Sequence, residues 1–168
     1  VSDFINLANN EPKVGLRFTS HTFGKEENHH SMRILSLYKG LRQIFDGFMV
    51  DDHARFRPAN ETKHQLSKVS ERLGATFNLS EDLVKWFGYD RLYNNQFGID
   101  VARAIEFFKL NTDNYPQSAD AWDSLGEGYM IANEYEKSLK AYEKSLMLNP
   151  NNKNGADKIK QLRTKLTK

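Results

Sequence analysis

The chain has 168 residues, 39% of them hydrophobic, and 24 Lys and Arg against 22 Asp and Glu leave a formal net charge of only +2. That composition excludes a disordered chain, and the interspersed charges leave no overall electrostatic footprint for nucleic acid or an anionic membrane. There is no cysteine, so disulfides, Cys-based zinc sites and thiol nucleophiles are excluded, and no apolar run approaches the roughly 20 residues a spanning helix needs.

In chain order, Val14, Leu16 and Phe18 alternate with Gly15, Arg17 and Thr19, which predicts a half-buried strand through about Phe23. A polar loop follows over Gly24-Lys25-Glu26-Glu27-Asn28-His29-His30-Ser31. Ile34, Tyr38, Leu41, Phe45 and Phe48 then recur at helical spacing, an amphipathic helix ending near Gly47. Residues 49–61 mix charges with Pro58, show neither period and read as a linker. Leu66, Val69 and Leu73 share a helical face, with Gly74 as its C-terminal stop. Ser80 before Glu81 and Asp82, and Ser118 before Asp120, read as N-caps with acidic first turns. Pro116 and Pro150 each follow a predicted helix, and Ala156, Ile159, Leu162 and Leu166 line one side of a lysine-rich last helix.

Trp122, Leu125, Gly126 and Tyr129 reproduce the W-x2-L-G-x2-Y pattern of a tetratricopeptide first helix, spacing included. Ser138, Tyr142, Ser145 and Pro150 fall where the second helix wants small, aromatic, small and proline. Gly126 and Ser138 are expected to let two antiparallel helices approach closely, with Trp122, Tyr129 and Tyr142 filling the space around them. One repeat length of 34 residues earlier, Ala104, Phe108 and Pro116 take the places of Ser138, Tyr142 and Pro150. The earlier first helix looks degenerate at that step: Gly88, Arg91 and Leu92 stand for Trp122, Leu125 and Gly126. The stretch therefore resembles a tetratricopeptide-repeat scaffold, with repeats about 85–118 and 119–152 and a cap helix 153–167. In that family the first helices line the binding face, which places Asp120, Asp123 and Glu127 together as partner-binding candidates. Such a stripe either receives a basic peptide or is simply solvated. It has the wrong charge for the clamp by which some relatives bind C-terminal carboxylates.

The loop Glu27-Asn28-His29-His30-Ser31 and the run Tyr38-Lys39-Gly40-Leu41-Arg42 resemble the end of an α/β-hydrolase-superfamily esterase of the siderophore-esterase kind. The resemblance implies that His29, with His30 as second choice, is the histidine of a Ser-His-acid triad. The residues alone also fit two solvated loop histidines beside Glu26 and Glu27. No G-x-S-x-G elbow occurs, so nucleophile and acid are expected upstream of Val1 and this chain is expected to be inactive as an esterase. His21, His29 and His30 match no zinc spacing, and neither a metal nor a cofactor is expected.

The expected fold is mainly α: tetratricopeptide-repeat hairpins over 62–168, preceded by a linker at 49–61. Before it, 1–48 would be a strand-loop-helix remnant of an α/β-hydrolase domain. The expected function is the C-terminal part of a serine esterase whose repeat domain braces the catalytic domain or binds a protein partner. Bacterial esterases with such an extension look similar along this whole length. The alternative is a stand-alone tetratricopeptide-repeat adaptor. An orphan strand would favour a strand-mediated homodimer or weak order before about residue 30. The sequence leaves cytoplasm and periplasm both open.

Overall fold

The structure, a computed structural model, is described for residues 20–167 and divides into two compact units, Val1–Ile44 and Phe45–Lys168. No strand occurs among the described residues. Ser20–Phe23 have no regular structure; residues 14–19 of the predicted strand, and the strand-mediated pairing expected from them, lie outside the described residues. A strand needs a neighbour for its backbone N–H and C=O groups, and alternation alone supplies none.

In the first unit the predicted loop holds for Gly24–Asn28, a turn and irregular chain, but ends before the histidines. Helix α1 runs His29–Ile44, so both histidines and Ser31 lie in its first turn. Asn28 decides this: its side-chain oxygen accepts from the N–H of His30 (2.9 Å) and of Ser31 (3.0 Å), and its own N–H donates to Ser31 Oγ at 2.9 Å. The apolar period starts later, at Ile34, which is why the pattern alone placed the helix start too late. Ile34, Leu37, Tyr38, Leu41 and Ile44 form an exposed apolar stripe on α1.

The second unit is a succession of helices, most of them packed on the next. A 3-10 turn (Asp52–Phe56) precedes α2 (Ala59–Leu73), α3 (Glu81–Tyr93) and a second 3-10 turn (Asn95–Phe97). Then come α4 (Val101–Asn114), α5 (Ala119–Ile131), α6 (Tyr135–Leu148) and α7 (Lys153–Leu166). Helix α3 packs on α4, α4 on α5, α5 on α6 and α6 on α7, while α2 lies against α4. The core falls into three clusters along this stack, one around Val84, Phe87 and Phe107, one around Phe108 and Leu125, and one around Tyr142, Ile159 and Leu162.

Where the sequence reads a linker, residues 49–61 hold structure. Ala54 is fully buried, and Glu106 of α4 caps the start of α2 by accepting from Ala59 N–H at 3.0 Å, a service Pro58 cannot supply. Arg55 Nε lies 2.9 Å from Asp90 Oδ2 of α3 with both side chains largely buried, and its guanidinium sits 5.1 Å from the Trp86 ring centroid.

The two hairpins share one plan. Helices α3 and α5 each have 13 residues, and α4 and α6 each have 14. Ser80 caps α3 by accepting from Leu83 N–H, and Ser118 caps α5 by accepting from Ala121 N–H. These caps lie 38 residues apart, as do Gly88 and Gly126. The step of 34 fits the second helices but misaligns the first by one turn, because the turn Asn94–Asp100 is four residues longer than Ala132–Glu134. Gly88 is therefore the counterpart of Gly126 and not of Trp122. A Cβ at Gly126 would lie 2.9 Å from the Tyr142 ring, and one at Gly88 only 2.3 Å from the Phe108 ring. Tyr142 and Phe108 are themselves 34 residues apart. The earlier first helix is displaced by that longer turn, and in the corrected register Val84 and Arg91 still stand where α5 has Trp122 and Tyr129. Arg91, 4% exposed, holds the longer turn by donating to the carbonyls of Phe97 (3.4 Å) and Gly98.

Candidate functional site

The signature residues mostly build the hairpin. Ser138 Oγ donates to the Gly126 carbonyl at 2.7 Å inside the α5–α6 contact. Ser145, also fully buried, accepts from Asn152 Nδ2 at 3.1 Å. Trp122 Nε1 donates to the Pro116 carbonyl at 3.0 Å, tying α5 to the turn before it. Leu125, Tyr129, Ala104 and Phe108 are buried together between α4 and α5. Pro116 and Pro150 sit in the exposed turns after α4 and α6, where the absent N–H and fixed φ stop a helix.

The acidic candidates are gathered along α5, and each is engaged by a neighbouring first helix or its cap. Asp120 pairs with Lys85 of α3 (2.5 Å), which also reaches Asp82 at 3.4 Å. The bond to Asp120 is the main reason the Lys85 ammonium titrates above its usual range. Asp123 Oδ1 accepts from Asn152 Nδ2, the α7 cap, at 2.6 Å. Glu127 accepts from two tyrosines of α3, Tyr89 Oη at 2.9 Å and Tyr93 Oη. Those rings stack 6.1 Å apart at 9°, and Tyr89 Oη also lies 3.2 Å from Ser124 Oγ.

This face is electrically negative at its centre. Burial pushes the Asp123 carboxyl above its usual range; the Asn152 bond opposes that, and the charges of Glu127 and Asp120 add to it. Burial, and then the bond to Glu127, push Tyr93 up to about 12. Tyr89 is also raised, chiefly by burial. Asp82 is 91% exposed and Asp120 61%, so the rim of the face is open to a partner.

Sequence spacing brought Asp120, Asp123 and Glu127 together but missed Lys85, Tyr89, Tyr93 and Asn152, which hold them. The missed signal was the spacing of Ser80 and Gly88 from Ser118 and Gly126, which sets α3 beside α5 in register. The described part of the first unit brings no triad together: His30 lies in the capped first turn of α1, and His29 is described only in its backbone, at the helix start. Among the described residues no group of three or more His, Asp or Glu could hold a metal. No helix there is long and apolar enough to cross a membrane. A hollow of about 240 Å³ between α2, residues 76–79 and α4 is lined by Thr62, Ser70, Phe77 and Leu110 among others. None of its lining residues belongs to α3 or α5, so it is separate from the acidic face.

No curated protein matches the chain. Residues 119–152 match the family model described as Tetratricopeptide repeat, which covers α5, α6 and the turn that follows. Nothing in these comparisons supports an α/β-hydrolase or siderophore-esterase parent. A tetratricopeptide repeat stands at 119–152 within an all-helical unit, and repeats of this family typically mediate contacts between proteins.

Proposed function

We propose that Phe45–Lys168 is an adaptor that binds another protein on the face formed by α3 and α5. The observation that carries this reading is the side-by-side placement of the two first helices, braced by Lys85–Asp120 and the tyrosine–Glu127 bonds, with an exposed polar rim. Side chains fixed in the free protein lose little freedom on binding, which favours affinity. The function needs no chemistry from the chain itself. A photo-crosslinking residue placed at Asp120 should capture a defined partner in cells, and the same residue at Lys140 on α6 should not. Equal capture from both positions, or none from either, removes this reading.

One observation favours a second role for the first unit. The stripe Ile34, Leu37, Tyr38, Leu41 and Ile44 on α1 is exposed, which suits a helix that packs against a sheet of a larger domain. In that reading α1 is the terminal helix of an esterase-like domain, and His29 at its start is the triad histidine. The chain as given then hydrolyses no p-nitrophenyl ester, and a chain extended upstream does so unless His29→Ala is introduced. Turnover by the 168-residue chain alone, lost in His29→Ala, would contradict this.

A further inference from the structure

We propose that the long turn of the first hairpin, Asn94–Asp100, builds an apolar docking patch together with Phe56 and Trp86. Its occupant is a segment of a protein partner that presents one large apolar side chain flanked by lysine or arginine. The inference rests on the adaptor reading and names the chemistry that partner must carry.

The second hairpin has no counterpart of this patch. Asn94–Asp100 is four residues longer than Ala132–Glu134, and insertions in repeat proteins gather on one face, often the binding face. The insertion displays Phe97, 49% exposed, and Ile99, 54% exposed. The turn that carries them is nevertheless fixed. Arg91, buried, donates to the carbonyls of Phe97 and Gly98, and the Phe97 ring packs edge-on against Phe56 at 5.5 Å. Phe56, Trp86 and Phe97 stand around one guanidinium, that of Arg55, at 4.5, 5.1 and 5.5 Å from their ring centroids. Asp90 of α3 pairs with that guanidinium, and Arg55 Nη1 donates to the Asp52 carbonyl at 2.6 Å. The three rings are thus positioned from beneath, yet Phe56 and Trp86 remain 39% and 44% exposed. Three neighbouring exposed rings form a patch, unlike the scattered single apolar residues any surface shows. Rings already fixed in the free protein bury much area and lose little freedom, as binding hot spots do.

Charge selects the occupant. Trp86 belongs to α3 and joins the patch to the α3–α5 face. Helices α3 and α5 together carry six acidic and two basic residues, in a chain whose net charge is +2. A segment that reaches the patch across this face needs cations beside its apolar anchor. Helix α7 of a second copy would supply the cations, but its one exposed large apolar side chain is Leu166, at its very end. It lacks a central anchor, which makes another protein the better fit.

The test is a nuclear magnetic resonance titration of the full chain with three capped hexapeptides. One is Lys-Arg-Leu-Phe-Arg-Lys, one has Ser in place of Leu and Phe, and one has Glu in place of every cation. The first should give saturable shifts at the Trp86 indole and at amides 53–57 and 94–99, weakening as salt is added. The other two should bind about 5-fold more weakly or worse. Phe97→Ser and, separately, Trp86→Leu should each weaken the first peptide by about the same factor, with urea unfolding confirming that each variant is folded. Absence of shifts at the patch, equal binding of either control peptide, or unchanged binding in both folded variants each overturn the patch. A dimer seen by light scattering and lost in Phe97→Ser gives the patch to a second copy and also overturns the proposal. A partner captured at Asp120 whose binding ignores both variants overturns the patch and leaves the adaptor reading standing. Peptide binding at the patch without any captured partner does the reverse.

Discussion

Substituting Gly88 by Ala tests the register of the first hairpin directly. A Cβ there would lie 2.3 Å from Phe108 Cε1, 2.7 Å from Cδ1 and 2.8 Å from Cζ, all well inside van der Waals contact. Phe108 is 0% exposed and packed between α3, α4 and α5, so its ring has nowhere to move. Overpacking of this kind costs about 1–3 kcal/mol, and the short approach places Gly88→Ala at the upper end. Against this, Ala is the better helix former by about 1 kcal/mol. The net expectation is a loss of about 2 kcal/mol, seen in urea unfolding as a midpoint lower by roughly 1 M with an unchanged slope. Trimming the ring with Phe108→Leu should make the double variant less unstable than the two single effects added together. A register that set Gly88 opposite Trp122 would instead leave room for a methyl group. Gly88→Ala that matches or exceeds the stability of the parent chain would therefore refute the 38-residue spacing of the first helices and the packing argument with it.

Raising the pH should weaken the fold through the tyrosines of α3. Tyr93 titrates near 12 in the folded chain, against about 10 when unfolded. The folded state thus holds this proton more tightly, and the associated stability is complete below about pH 10 and lost as pH rises towards 12. Thermal unfolding across that range should show the decline, with a shallower slope in Tyr93→Phe; an identical slope would contradict it. Asp123 has the same sign, since burial raises its carboxyl. Asp123→Asn should raise the melting temperature at neutral pH and less so in acid, where the parent carboxyl is already neutral; a uniform shift at all pH values would count against this. Arg55→Met should destabilise the second unit by about 2 kcal/mol in the same urea assay, because it removes the nearer guanidinium from the Asp90 carboxylate, only 7% exposed, and leaves it Arg91 at 3.8 Å and Asn94 Nδ2 at 2.7 Å. A change below about 1 kcal/mol would mean that the 3-10 turn Asp52–Phe56 is not anchored by this pair.

Much of the repeat was legible because its determinants are local and periodic. Ser80, Ser118, Gly74 and the prolines mark helix ends through backbone chemistry that needs no tertiary partner. Trp122, Gly126, Ser138 and Tyr142 announce one hairpin because a close helix contact demands small residues opposite an aromatic. The first hairpin was misaligned because four extra residues in Asn94–Asp100 break the constant step. A fixed period cannot see an insertion, whereas the packing of Phe108 on Gly88 restores the correspondence. At the N-terminus the alternation from Val14 to Phe23 suggested a strand that Ser20–Phe23 do not form, since pairing is not local. The loop read around His29 and His30 is a helical turn because Asn28 caps it.

The acidic face divides along the same line. Sequence by itself determined that Asp120, Asp123 and Glu127 share one side of α5, because a helix has a fixed period. Only the tertiary structure decided what that side means. Lys85, Tyr89 and Tyr93 reach it from about one repeat away, Asn152 arrives from the cap of α7, and Tyr142 rises through the gap at Gly126. Which charges are cancelled and which are left open depends on distances between helices, and those distances are set by the small residues at the helix contacts and not by the order of the acids along the chain.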